Sequence, residues 1–149
     1  MDIEFNIPCD SEGYVAFECP FCEVEFKLLG TDFQKDEQQL ENLFCPYCGL
    51  SDSRSNFFTK DQVAHMQILC QNYAIQQINN AFGKMAKSMK SNKHVKVNFT
   101  ADKLLDVDEL KTHETVETVY QCKLCEGNEK ILHSADVSKI FCSFCGVDI

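Results

Sequence analysis

Four cysteine pairs, each with two residues between the sulfurs, constrain this chain more than anything else in it. They are Cys19-Pro20-Phe21-Cys22, Cys45-Pro46-Tyr47-Cys48-Gly49, Cys122-Lys123-Leu124-Cys125 and Cys142-Ser143-Phe144-Cys145-Gly146. A two-residue spacer lets a tight turn aim both sulfurs and several backbone N–H groups at one point. Two such turns brought together complete a tetrahedral four-sulfur shell, which suits Zn²⁺ and implies two ions per chain. Iron in the same shell is the chemical rival. The gaps between pairs are 22 residues in the first half and 16 in the second, each long enough for a strand or hairpin that returns the chain. Gly49 and Gly146 follow the last cysteine of each set, where a positive φ relieves the turn. Pairing within each half closes the shorter loops, which groups Cys19, Cys22, Cys45 and Cys48 in one site and Cys122, Cys125, Cys142 and Cys145 in the other. A cross-braced arrangement, joining Cys19/Cys22 to Cys122/Cys125, is the alternative.

On these residues Tyr14 to Gly49 and Tyr120 to Gly146 resemble zinc ribbons, the knuckle-and-hairpin modules common in transcription and translation proteins. Cys45-Pro46-Tyr47-Cys48-Gly49 is close to the C-P-x-C-G knuckle of that superfamily and of rubredoxins. The resemblance covers about 63 of the 149 residues. It implies that the eight paired cysteines are metal ligands and that the knuckle glycines are turn residues, and it implies nothing specific about activity. The sequence departs from the pattern at Glu23 and Glu126, where many knuckles carry Gly.

Charge and hydropathy narrow the function classes. The formal charge is −9 at pH 7, and two ions held by eight thiolates bring it to about −13. Nucleic acid and anionic membranes repel such a chain on average. The charge is uneven, however: residues 1–58 hold 12 acids and 3 bases, 59–96 hold 1 and 6, and 97–149 hold 10 and 5. No stretch approaches the roughly 20 apolar residues of a membrane span. The opening residues show no secretory pattern, and reduced, metal-binding cysteines fit a cytoplasmic location.

The segments between the cysteines read as an α+β protein. Residues 2–8 and 14–18 alternate in polarity around the turn residues Asp10-Ser11-Glu12-Gly13, predicting a β-hairpin that leads into Cys19. Residues 23–28 alternate again, and Thr31 to Glu41 suits a loop or short helix. Thr59-Lys60-Asp61-Gln62 has the form of a capping box at the start of a long helix. On that helix Val63, Met66, Cys70 and Tyr73 share one face. Ile75, Ile78, Phe82, Met85 and Met89 share another, with 3-4-3-4 spacing. These faces cover either the two ribbons or, for the second, another chain. Residues 94–99 read as a strand, 101–113 as an acidic segment suited to a short helix, and 115–120 as a β-rich run entering Cys122. The expected architecture is a small, metal-stabilised α+β protein, two four-cysteine zinc ribbons of short antiparallel hairpins joined by a long helix. Its divisions are 1–58 for the N-terminal ribbon, 59–92 for the amphipathic helix with a basic end, 93–121 for a strand and acidic connector, and 122–149 for the C-terminal ribbon.

Catalysis is not expected. A catalytic zinc keeps one position open, which a complete four-cysteine shell does not, and no H-E-x-x-H, phosphate loop or G-x-S-x-G occurs. Asp106, Asp108 and Glu109 read as a solvated face. Cys9 and Cys70 read as small core residues, and His65, His94, His113 and His133 are not needed as ligands. The expected function is a non-catalytic adaptor or complex subunit whose partner is a protein, met or self-associated through Ile75, Ile78, Phe82, Met85 and Met89. The alternative is DNA or RNA binding through Lys84, Lys87, Lys90, Lys93 and Lys96, a run that equally suits a helix C-terminus or an acidic protein. A single Arg and little aromatic interleaving beside the lysines weigh against nucleic acid. No membrane partner and no small-molecule substrate is indicated.

Overall fold

The computed structural model describes residues 3–35, 41–90, 94, 96–112, 117–133, 135 and 138–149. The chain divides into two units, Asn6–Val63 with Leu110–Ile149, and Met1–Phe5 with Ala64–Glu109. Small α+β architecture with antiparallel strands and one long helix is what the structure contains.

The first unit is built on strands β1 (Tyr14–Glu18), β2 (Glu25–Leu29), β3 (Asn42–Phe44), β4 (Ser51–Ser53), β5 (Glu117–Gln121) and β6 (Asn128–Leu132), with the short helix α1 (Gly30–Lys35) after β2. β1 and β2 form one hairpin and β5 and β6 another, and β2 pairs antiparallel with β6 to give a four-stranded sheet in the order β1-β2-β6-β5. Sequence places these hairpins at opposite ends of the chain; in the fold they lie edge to edge. An isolated two-stranded hairpin is marginal in water, and joining two of them removes one exposed edge from each. β3 and β4 form a separate two-stranded ladder.

Period-2 alternation decides what each face of the sheet carries. Val15, Phe17, Phe26, Leu28 and Ile131 face a core completed by Leu43, Phe57, Ile140 and Phe144. Phe17 stacks on Phe26 at 6.0 Å, and Phe57 meets Phe26 edge-on at 6.0 Å. The opposite face sets Lys27 directly across from Lys130. Two like charges in register repel, and carboxylates offset them. Lys27 pairs with Glu117 at 3.2 Å, while Lys130 pairs with Asp10 at 2.8 Å and also with Glu12.

The expected strand over 2–8 does not form; residues 3–10 have no regular structure, and β1 pairs with β2 instead. The turn itself is present. The Asp10 carboxylate accepts the amides of Glu12 and Tyr14 at 3.0 and 2.9 Å, and Gly13 donates to Asp10 O with φ at +86°. Pro8 has no N–H to give a ladder, and Asp10 takes amides that a hairpin would need. Thr31 to Glu41 resolves as helix over α1, with 36–40 outside the described residues.

The helix α2 (Lys60–Met89) starts in the first unit and runs on into the second. Its capping box is complete: Gln62 N–H donates to Thr59 Oγ1 at 3.2 Å, and Thr59 N–H donates to Gln62 Oε1 at 3.0 Å. The Gln62 amide also donates to Ala16 O at 2.9 Å, fixing the first turn to β1.

In the second unit an extended segment lies along α2, in the opposite direction. Asn72 brackets one residue of it, accepting Leu105 N–H at 2.7 Å and donating to Leu105 O at 2.9 Å. Asn79 does the same to Asp102, at 3.0 and 2.9 Å. His65 Nδ1 lies 3.0 Å from Asp108 O, and Phe99 stacks on Phe82 at 6.1 Å. The register is regular: 65, 72 and 79 on the helix meet 108, 105 and 102. Seven helical residues rise about 10.5 Å, and three extended residues span about 10 Å, so the two repeats keep step. These side-chain bonds satisfy the backbone, and neither the strand expected over 94–99 nor the helix expected over 101–113 is present among the described residues. Replacing Asn72 and Asn79 together by Ala is expected to free the strap. Amide exchange at Leu105 and Asp102 should accelerate about tenfold for each lost bracket, and unchanged exchange would show that the brackets do not hold it.

Candidate metal centres

The four cysteine pairs adopt one backbone construction. In each, the first cysteine N–H donates to the carbonyl five residues on, and the N–H four residues on donates back to the first cysteine. The bonds are Cys19 to Val24 and Glu23 to Cys19 (3.2, 3.0 Å), Cys45 to Leu50 and Gly49 to Cys45 (2.9, 2.9 Å), Cys122 to Gly127 and Glu126 to Cys122 (3.0, 3.0 Å), and Cys142 to Val147 and Gly146 to Cys142 (2.8, 2.8 Å). Closing that ring needs a left-handed residue directly after the second cysteine. Glu23, Gly49, Glu126 and Gly146 have φ of +56°, +72°, +59° and +72°.

The two glutamates that depart from the ribbon pattern therefore occupy strained backbone. A left-handed non-glycine costs about 1–2 kcal/mol, part of which glycine returns as unfolded-state entropy. Glu126→Gly and Glu23→Gly are each expected to stabilise the chain by about 1 kcal/mol in denaturant unfolding with metal saturating. A loss of stability would contradict the strain.

These turns converge in two sets, Cys19, Cys22, Cys45 and Cys48, and Cys122, Cys125, Cys142 and Cys145, the sulfurs of each set all within 4.8 Å of one another. The grouping is within each half, not cross-braced. Sulfur separations are 3.7 Å for Cys19–Cys48, 3.6 Å for Cys22–Cys45, 3.6 Å for Cys122–Cys145 and 3.5 Å for Cys125–Cys142. A tetrahedron with metal–sulfur bonds near 2.3 Å has edges of about 3.8 Å, so these separations are compatible with a metal ion in each set. The first cysteine of every pair is buried. Knuckle amides point at the sulfurs, with Phe21 and Cys22 N–H at 3.4 and 3.5 Å from Cys19 Sγ, Tyr47 and Cys48 N–H at 3.4 and 3.5 Å from Cys45 Sγ, and Leu124 N–H at 3.4 Å from Cys122 Sγ.

Electrostatics favour a cation in each set. Burial raises the Cys122 thiol, but the amides of Cys125 and Leu124 outweigh it and bring the group to about 7. Burial pushes Cys125 up to about 11 and raises Cys45 and Cys142 as well. Four crowded thiols do not ionise together unless a divalent ion neutralises them.

The second knuckles of the two halves interlock. Phe44 N–H donates to Ser143 O at 2.9 Å, and Phe141 N–H donates to Pro46 O at 3.0 Å. A Cβ on Gly49 would lie 3.1 Å from the Phe141 ring, and one on Gly146 would lie 2.8 Å from the Phe44 ring. Tyr47 also stitches β2 to β6, its hydroxyl donating to Glu25 O at 2.9 Å and accepting Leu132 N–H at 3.1 Å.

Glu129 was not legible as special. It is fully buried on the core face, and its Oε2 accepts Ser143 N–H at 2.9 Å, one residue from Cys142. Burial raises its carboxyl from 4.5 to about 7. A raised acid favours the fold at low pH, and that contribution is lost as pH rises from about 4.5 through 7. Glu129→Gln keeps an acceptor without the charge. Its stability relative to the parent chain is expected to be about 1 kcal/mol better at pH 8.5 than at pH 6, read by denaturant midpoints at both values; a pH-independent difference would contradict this.

The remaining sequence-derived candidates lie elsewhere. Ile78, Phe82, Met85 and Met89 are 49%, 50%, 49% and 38% exposed, and Ile75 is half-buried. Lys84, Lys87 and Lys90 lie exposed at the end of α2 and Lys96 is exposed beyond it, while Lys93 lies outside the described residues. Cys9 and Cys70, expected in a core, are both exposed. The buried residues of α2 are instead Gln62, Asn72 and Ala86. Among the described residues no histidine joins a metal-type cluster; His113 lies outside them. The heptad row His65, Asn72, Asn79 was missed, and its signal was polar residues at seven-residue spacing along the helix. Among the described residues no helix is long and apolar enough to cross a membrane. Compared with models of protein families, with curated proteins and with solved structures, the chain gives no match, and the metal centres stand on their geometry alone.

Proposed function

We propose that the chain is a zinc-binding, non-catalytic adaptor or subunit that mediates protein–protein interaction within a larger complex, working in a reducing compartment such as the cytoplasm. The observation that carries this is the completeness of both sulfur sets. Each supplies four ligands from the protein itself, the number of a closed structural zinc site, and leaves no position for water or substrate. The all-thiolate tetrahedral shell suits zinc and iron alike, and the metal content of the purified protein decides between them. The exposed row Ile78, Phe82, Met85 and Met89 supplies the apolar surface on which a protein partner would dock. The test joins both parts. Protein purified without added metal should be colourless and contain zinc. A photoreactive residue at position 82 should crosslink to protein in the native host, and Ile78→Asp should abolish the crosslink with zinc retained. Colour from iron would overturn the metal, and absence of any crosslinked protein would overturn the adaptor.

A second reading, nucleic-acid binding, is supported by Lys84, Lys87 and Lys90, which have no salt-bridge partner among the described residues. It predicts salt-sensitive binding that falls on charge reversal of these lysines. No retention on DNA or RNA at about 50 mM salt removes it.

A further inference from the structure

The two sulfur sets are joined through their second knuckles. Phe44 N–H donates to Ser143 O at 2.9 Å, and Phe141 N–H donates to Pro46 O at 3.0 Å. The residues on either side of Cys45 are thus bonded to those on either side of Cys142, and the two cysteines, both fully buried, stand directly across from each other. The return bonds of such an antiparallel pair go elsewhere. Pro46 has no N–H to give, and Ser143 N–H donates to Glu129 Oε2 at 2.9 Å. Two rings close the joint, Phe141 against Gly49 and Phe44 against Gly146, where an added Cβ would lie 3.1 and 2.8 Å from them. A third tie starts between Cys45 and Cys48. The Tyr47 hydroxyl accepts Leu132 N–H at 3.1 Å on β6, the strand that follows Cys125.

These contacts make one set's order depend on the other's. Holding Cys45 at a metal fixes Phe44 and Pro46, and those two residues hold Ser143 and Phe141, which aim Cys142 at the second set. The same steps run in reverse from Cys142 to Cys45. Freedom in the joint is lost once, when the first ion binds, and the second ion meets a knuckle that is already placed. Linkage makes the effect equal in both directions.

We infer that the two sets fill cooperatively: an ion in either raises the affinity of the other, and the interlocked second knuckles carry the coupling. The coupling rests on the reading of both sulfur sets as metal sites and adds how each responds to the other. A chain built this way passes between empty and doubly loaded forms with little of the singly loaded one, so the ribbon unit answers to available metal as a whole.

Competition of the full chain for zinc against a calibrated chelator, with empty, singly and doubly loaded chains counted by native mass spectrometry, gives the product of its two binding constants. Cys22→Ser and Cys125→Ser each remove one exposed ligand from one set and give the constant of the other set by itself. The product for the parent chain should exceed the product of these two constants by about tenfold or more. Equal products overturn the inference. Phe44→Ala with Phe141→Ala, placed in all three chains, leaves the paired cysteines unchanged and removes the two rings of the joint. The excess should then largely vanish, and an undiminished excess overturns the interlock as its carrier. If the paired alanines prevent folding, Tyr47→Phe removes only the hydroxyl tie and should lower the excess severalfold; an unchanged excess there counts equally against the interlock. Failure to bind two ions with zinc in excess would remove the metal reading and the inference together, whereas two sites that fill independently would remove the coupling alone.

Discussion

Cys142→Ser is expected to leave the chain with one bound metal in place of two and to abolish cooperative unfolding of the ribbon unit. Zinc contributes about 10–16 kcal/mol to small zinc peptides, as large as the whole margin of about 5–15 kcal/mol that holds a typical domain folded. Cys142 is fully buried, its sulfur lies 3.5 Å from that of Cys125, and the next residue donates to Glu129 and accepts from Phe44. Losing the site therefore loosens the interlocked knuckles of both halves. Cys9→Ser and Cys70→Ser provide the control, because both residues are exposed and outside the two sulfur sets. Metal content by elemental assay and denaturant unfolding should separate them cleanly. Two metals and an unchanged midpoint in Cys142→Ser would contradict the ligand assignment.

Gly146→Ala should cost about 2–5 kcal/mol. Its φ is +72°, where a side chain costs about 1–2 kcal/mol. The new Cβ would also fall 2.8 Å from the Phe44 ring, and such overpacking adds about 1–3 kcal/mol. Gly49→Ala meets the Phe141 ring at 3.1 Å and should cost somewhat less. Gly83→Ala should go the other way. It sits in α2 with nothing within 4 Å of the added atom, so it gains about 1 kcal/mol of helix propensity. Denaturant midpoints of the three variants, taken with metal saturating, test the sign and the order. An unchanged midpoint for Gly146→Ala would mean that the interlock of the two halves is looser than its contacts indicate.

The metal centres were legible because a cysteine pair encodes a local object. Two sulfurs, two intervening residues and a left-handed residue after the second sulfur are fixed within six residues, so spacing alone announces them. Even the two departures, Glu23 and Glu126, marked positions where the backbone is indeed left-handed. The capping box was legible for the same reason, since Thr59 and Gln62 bond to each other's amides. What escaped was non-local. The pairing of β2 with β6 joins Lys27 to Lys130 across about a hundred residues, and nothing in either segment names the other. The strap misled because alternation over 94–99 imitates a strand, while its neighbour 101–105 takes its partners from Asn72 and Asn79 on a helix. The hairpin expected before Cys19 failed on choice of partner, since β1 had a better-matched strand on the far side of the knuckle.

Counting metal on native chains reaches the central claim most directly. Native mass spectrometry of protein purified without added metal should give a mass two zinc ions above that of the bare chain, and a strong chelator should remove both together with the cooperative melting transition. Substantially fewer than two ions per chain, or a chelated protein that melts as before, would contradict it.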